Sequence, residues 1–146
     1  MGVNRRFDLD RFLLAQAGAY TQALGELSRG RKTSHWIWFI FPQIAGLGWS
    51  PTSRLYAIAS LDEARAYAAH PVLGHRLIEC AAAMLSHEGL TASDILGTPD
   101  DLKFRSSMTL FAAAFPQEPL FAEALGRFFD GEGDPLTMAE LGLGPG

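Results

Sequence analysis

Cysteine is almost absent: Cys80 is the single one in 146 residues, which excludes an internal disulfide and fits a reducing compartment. No stretch approaches the roughly 20 uncharged apolar residues that a spanning helix requires. Residues 1–10 carry charges of both signs where a secretion signal would have an apolar run. A cytoplasmic protein without a membrane partner is the expectation. Internal repeats, low-complexity linkers, a serine elbow and a glycine-rich phosphate loop are all missing, and Gly46-Leu-Gly48 reads only as a flexible loop. The four histidines, His35, His70, His75 and His87, make no recognisable metal constellation, His70 and His75 being five apart across a proline. Neither a metal nor a cofactor is expected.

What is present suits one globular domain, residues 1–146, with an ordered core over about 8–141. Apolar residues make up 48% and charged residues 19%, enough to bury a core and too apolar for disorder. The net charge of −4 is unevenly placed. Residues 1–60 hold seven basic against three acidic side chains, and residues 61–146 hold five against thirteen. The basic half could attract phosphates, but an acidic whole is a poor non-specific partner for nucleic acid.

The periodicity indicates an all-α domain of about six to eight helices. Leu9, Phe12, Leu13, Tyr20, Leu24 and Leu27 form one stripe, predicting a first helix from Asp8 or Asp10 to Arg29, weakened by Gly18 and Gly25. Ser60-Leu-Asp-Glu63 is a capping box for a helix to about Ala69. His70-Pro71 ends it and opens another helix through Leu85, with Val72, Leu73 and Leu77 inward. Thr91-x-x-Asp94 starts a helix that stops at Gly97. Thr98-Pro99-Asp100-Asp101 starts a long one reaching Phe115. Further helices are expected over residues 119–129 and 135–141, with a frayed tail from Gly142.

The most unusual stretch is Lys32-Thr-Ser-His-Trp-Ile-Trp-Phe-Ile-Phe-Pro-Gln43. Its apolar part, residues 35–41, is too short for periodicity to separate helix from strand. With no partner strand in sight, it reads as a short buried helix capped by Thr33 or Ser34, followed by a loop over residues 43–53. Trp36 and Trp38 suit either a core or the wall of a ligand pocket that has a few polar groups at its mouth. The second stretch is residues 100–111. Lys103 and Ser106 share a face there with Ser107, and Asp101 stands in register with Arg105. Mid-helix hydroxyls suit a polar pocket, or else bond back to carbonyls of their own helix.

These stretches carry a resemblance. The chain resembles a bacterial family known as domain of unknown function 1810, with the pattern Lys/Arg-x-Ser-His-Trp-x-Trp-Phe-Ile-Phe-Pro-Gln at residues 32–43. The likeness continues through Ser53-Arg54-Leu55-Tyr56 and through an Asp-x-x-Lys-x-x-Ser-Ser-x-Thr-Leu-Phe element, here residues 100–111, and spans about residues 8–141. It implies a mainly helical fold and no activity. Some members bear the label calpastatin, which nothing in this sequence supports. A fainter likeness to small helical families of NAD and ADP-ribose metabolism tilts the expected ligand towards nucleotide-like molecules.

Two functions fit. In the first, a small molecule with a phosphate and a planar ring is bound or acted on. Lys32, Arg54 and Lys103 hold its anion, Trp36 or Trp38 stacks on the ring, and Gln43 and Ser106 orient it. His35 or Asp101 then serves as the proton carrier. This requires three separated stretches to converge. In the second, the aromatic segment or the loop bearing Trp49 docks another protein and there is no catalysis. Oligomeric state is not legible.

Overall fold

The computed structural model describes residues 7–143. Among these, ten helices form: α1 (Asp10–Ala17), α2 (Tyr20–Arg29), α3 (Ile37–Ile40), α4 (Pro51–Leu55), α5 (Leu61–Ala69), α6 (Leu73–Leu85), α7 (Ala92–Leu96), α8 (Asp100–Ala114), α9 (Leu120–Phe129) and α10 (Pro135–Glu140). The only pairing of extended backbone among the described residues is an isolated parallel bridge between Ile44 and Ile58.

Helix boundaries follow local chemistry, with instructive departures. The first predicted helix is two, because the chain leaves helical geometry at Gly18 and Ala19 (φ −131°) and re-enters at Tyr20. Glycine in a helix interior costs about 1 kcal/mol relative to alanine, and here the break is realised. Helix α2 ends as expected, with Gly30 left-handed at φ 81°. Thr91 and Asp94 form a complete capping box. At α5 only half of the box is made. Ser60 accepts the Glu63 N–H, while the Glu63 carboxylate reaches one residue further back, to the Ala59 N–H at 2.7 Å.

Helix α6 starts at Leu73, leaving Pro71 and Val72 exposed, and the His70 Nδ1 accepts the N–H groups of Val72 and Leu73. The loop expected over residues 43–53 is cut short by α4, which Ser50 caps and Pro51 opens. Of the tail expected to fray, residues 144–146 lie outside the described residues, as do residues 1–6 at the other end. The Leu143 N–H bonds the Met138 carbonyl at 2.8 Å.

Helix α8 is the central element, packed against α5, α7, α9 and α10, while α6 lies against α2, α5 and α9. Between them runs a line of rings in edge and tilted contacts: Phe12 on Tyr67 (5.0 Å), Tyr67 on Phe111 (5.4 Å), Phe111 on Phe121 (5.8 Å). A second contact joins the aromatic segment to α8, Phe41 on Phe104 at 4.7 Å. Each such pair contributes about 0.5–1.5 kcal/mol beyond its burial. The α5–α6 crossing is closer than a side chain permits. A Cβ on Gly74 would stand 2.0 Å from the Ala68 carbonyl oxygen.

The aromatic segment is a single helical turn, α3, with Trp36, Ile37, Ile40 and Phe41 in the core, Trp38 and Phe39 half-buried and His35 exposed. Neither Thr33 nor Ser34 caps it. Their backbone N–H groups turn the other way, to Glu26.

Candidate functional site

Glu26 on α2 is fully buried, and its carboxylate gathers the approach to the aromatic segment. Oε1 accepts the N–H of Thr33 (2.8 Å), of Ser34 (3.0 Å) and of the Trp36 indole (2.9 Å), and Oε2 accepts the Ser34 hydroxyl at 2.5 Å. Burial pushes its pKa up, but these four bonds outweigh burial and hold it well below the carboxylate range. On the other side, the buried Gln16 amide donates to the Phe39 carbonyl at 2.7 Å. Trp36 and Phe39 are thus fixed by two polar side chains from α2 and α1, which orients Trp38 between them.

Lys32 and Lys103 meet at one carboxylate. Asp100 lies 2.8 Å from the Lys32 Nζ and 3.5 Å from the Lys103 Nζ. Each ammonium also sits over an indole, Lys32 above Trp36 at 5.1 Å and Lys103 above Trp38 at 4.9 Å. The two informative stretches of sequence are therefore stitched together by charge at the start of α8.

Beyond Trp38 the surface falls into a cleft with two arms. The first, about 410 Å³, is walled by Trp38, Gln43, Lys103 and Ser106, with Asp134 at one side and Trp49, Leu102 and Leu136 on its rim. The second, about 230 Å³, continues past Trp38 and Gln43 to Arg54 and Tyr56. Both arms share Leu47 and Gly48 from the loop between α3 and α4, and Ser53 of α4. That loop is held by the Ile44–Ile58 bridge, and the end of α4 by Arg11, which donates to the carbonyls of Leu55 (2.8 Å) and Ala57 (2.7 Å) and pairs with buried Glu63 at 3.0 Å. A Cβ on Gly48 would meet the Ser53 hydroxyl at 2.5 Å, so the wall needs glycine there.

Several polar groups on these walls make no side-chain hydrogen bond among the described residues, including the Gln43 amide, the Ser106 hydroxyl, the Tyr56 hydroxyl and the Arg54 guanidinium. Ser106 lines the cleft although only 4% of the residue is exposed, while the hydroxyl of its neighbour Ser107 is buried without a partner. Asp134, by contrast, is committed, accepting the N–H and hydroxyl of Thr137 as the cap of α10.

The structure brings together Trp38, Gln43, Lys103 and Ser106, and places Arg54 in the adjoining arm. Four other candidates lie elsewhere. Lys32 is spent on Asp100, with its side chain 8% exposed. Trp36 is core. His35 is on the surface and lines neither arm. Asp101 lines neither arm either, and it does not pair with Arg105. Arg105 turns instead to the carbonyls of Glu132 and Gly133, and the Asp101 Oδ1 is buried without a partner. The Thr109 hydroxyl bonds back to the Arg105 carbonyl at 2.8 Å, the local satisfaction open to a mid-helix threonine.

Sequence reasoning missed Glu26, Gln16 and Asp100. Glu26 had a usable signal, an acidic residue on the inward side of an amphipathic helix. It named Trp49 (80% exposed) as a docking residue but missed that Leu136 (66%) and Leu102 (49%) join it on the cleft rim from separate elements.

Fold and site define an all-helical domain with an open, partly apolar cleft at the end of its central helix. The chain belongs to the family described as "Protein of unknown function (DUF1810)", whose model matches residues 6–141. Its fold is similar to the crystal structure, at 1.38 Å, of the conserved hypothetical protein Rv1873 from Mycobacterium tuberculosis. The two are 46% identical with a TM-score of 0.93, over 95% of this chain and 99% of that one. No curated protein matches the chain. No described helix is long and apolar enough to cross a membrane.

Proposed function

We propose that the cleft binds a small, phosphate-bearing molecule with a planar ring, of which a mononucleotide is the simplest natural form. The observation that carries this reading is the convergence of Lys103, Trp38, the Gln43 amide and the unpartnered Ser106 hydroxyl on one hollow. A cleft hydroxyl that no protein group engages is free to bond a ligand acceptor. Lys103 supplies a positive charge, Trp38 and Trp49 supply ring surface, and Gln43 supplies a donor and an acceptor. Binding, and not turnover, is what these groups support, since neither His35 nor Asp101 lines the cleft.

A thermal-shift screen with mononucleotides, sugar phosphates, aromatic phosphates and inorganic phosphate tests it. A ligand at a hundred times its dissociation constant stabilises the fold by about 2.7 kcal/mol. Lys103→Ala should remove the shift, and a flat response from folded protein across the whole screen would overturn the reading.

A second reading, a protein-interaction module, is favoured by the exposed rim of Trp49, Leu102 and Leu136. It predicts that Trp49→Ser abolishes capture of a protein partner while small anions leave the melting temperature unchanged.

A further inference from the structure

The two arms of the cleft differ in charge, and that difference bears on what the ligand must carry. This step rests on the reading that the cleft binds a small anionic molecule. In the first arm Lys103 shares Asp100 with Lys32, and Asp134 also lines the wall, so its positive charge is partly balanced. In the second arm no carboxylate lines the wall, and Arg54 has no ion-pair partner among the described residues. Glu140 stands behind Gly46 and faces a separate hollow bounded by Ala59 and Leu61. The Arg54 arm is therefore the more electropositive of the two, although it is the smaller.

Arg54 owes its place to the local fold. It lies in the last turn of α4, and the bridge from Ile44 to Ile58 draws that helix back against Gln43 and Trp38. A guanidinium presents a planar fork of N–H donors that matches a carboxylate or a phosphate, whereas the Lys103 ammonium acts as a point charge. Trp38 and Gln43 stand between them and line both arms.

We propose that the ligand carries two separated acidic groups, one held by Lys103 and one by Arg54, with its ring lying across Trp38 and the Gln43 amide between the two. A molecule with a single acidic group fills one arm and leaves the other cation bare. The required class is a ring compound acidic at both ends, such as a phosphate ester bearing a distant carboxylate or second phosphate.

The test compares phenyl phosphate with 4-carboxyphenyl phosphate, which adds one carboxylate across the ring. Binding is followed by calorimetry and by tryptophan fluorescence on the wild-type chain, Arg54→Ala and Lys103→Ala. Arg54 is exposed and makes no side-chain bond, so Arg54→Ala should keep its fold, as checked by its melting temperature. We expect the wild type to bind the two-headed compound about five- to tenfold more tightly than phenyl phosphate, the worth of one exposed charge-assisted contact. Arg54→Ala should reduce that preference to about one, and Lys103→Ala should weaken both compounds. Equal binding of the two compounds by the wild type, or a preference that survives Arg54→Ala, would overturn the two-headed ligand and leave the simpler reading standing. Failure of both compounds to bind would sink the two together.

Discussion

The Glu26 carboxylate accepts the indole N–H of Trp36 at 2.9 Å, both side chains being buried, and the same oxygen holds two backbone N–H groups of the turn leading into α3. The helix before the aromatic segment thus fixes its direction through one charged group. Removing such a group leaves several buried donors unpaired at once.

Glu26→Ala should therefore destabilise the fold by about 3 kcal/mol or more, and Glu26→Gln by somewhat less, read from urea unfolding at pH 7. The sign of the pH dependence follows from the depressed folded pKa. The ionised form is favoured in the folded state, so the stabilisation is complete above the ordinary value of 4.5 and is lost as pH falls below it. The stability gap between wild type and Glu26→Gln should be flat above about pH 5.5 and should narrow by up to about 1.4 kcal/mol per pH unit below about 4.5. A gap that stays constant down to pH 3 would show that Glu26 is not held as a carboxylate.

Lys32 and Lys103 share Asp100, yet only Lys103 borders the cleft. Their alanine variants should separate. Lys32→Ala should lower stability by about 2 kcal/mol, because a largely buried pair and a cation–π contact are lost together. Lys103→Ala should cost about 1 kcal/mol or less, its partner retaining Lys32. Binding of phenyl phosphate should fall in Lys103→Ala. An unchanged melting temperature in Lys32→Ala would contradict the structural role assigned to that lysine.

The fate of Lys32 also shows where sequence reading stops. The caps at Ser60, Thr91 and Gly30 were legible because cap and capped group lie within one turn of chain. The break at Gly18 was not, since glycine is tolerated inside many helices and only tertiary packing decides. Lys32 looked like a phosphate ligand because its partner, Asp100, lies at the start of α8, far along the chain. Asp101 and Arg105 had the right helical spacing to pair, and the pair does not form, because the backbone carbonyls of Glu132 and Gly133 meet the Arg105 guanidinium. Of the site, Trp38, Gln43, Lys103, Ser106 and Arg54 could be named as residue types in an unusual pattern. The cleft rim could not, since Trp49, Leu102 and Leu136 meet only through the fold.

Gly74 and Gly126 form a matched pair for testing the packing. At Gly74 a methyl group would run into the backbone of Ala68, and backbone does not yield as a side-chain tip does. Gly74→Ala should cost about 3 kcal/mol, at the upper end of overpacking effects. Gly126 lies within α9 with nothing inside 4 Å of its would-be Cβ. Gly126→Ala should stabilise by about 0.5–1 kcal/mol through reduced backbone entropy in the unfolded chain. Equal effects in the two variants would mean that α5 and α6 cross more loosely than the structure has them.

Cys80 provides a probe of the same core from within. It sits on the inward face of α6, 1% exposed, and its thiol is pushed up to about 12, chiefly by burial, with the Tyr20 hydroxyl offsetting part of the effect. The thiolate is the reactive form, so at pH 8 the native protein should label with a disulfide reagent only through rare opening of the helix pair. The labelling rate should be orders of magnitude below that of a free thiol and should rise steeply with sub-denaturing urea. Glu26→Ala should accelerate it, since α2 packs on α6 and loses its tie to the aromatic segment. Rapid stoichiometric labelling of the native wild type would place Cys80 at the surface and contradict the packing of α6.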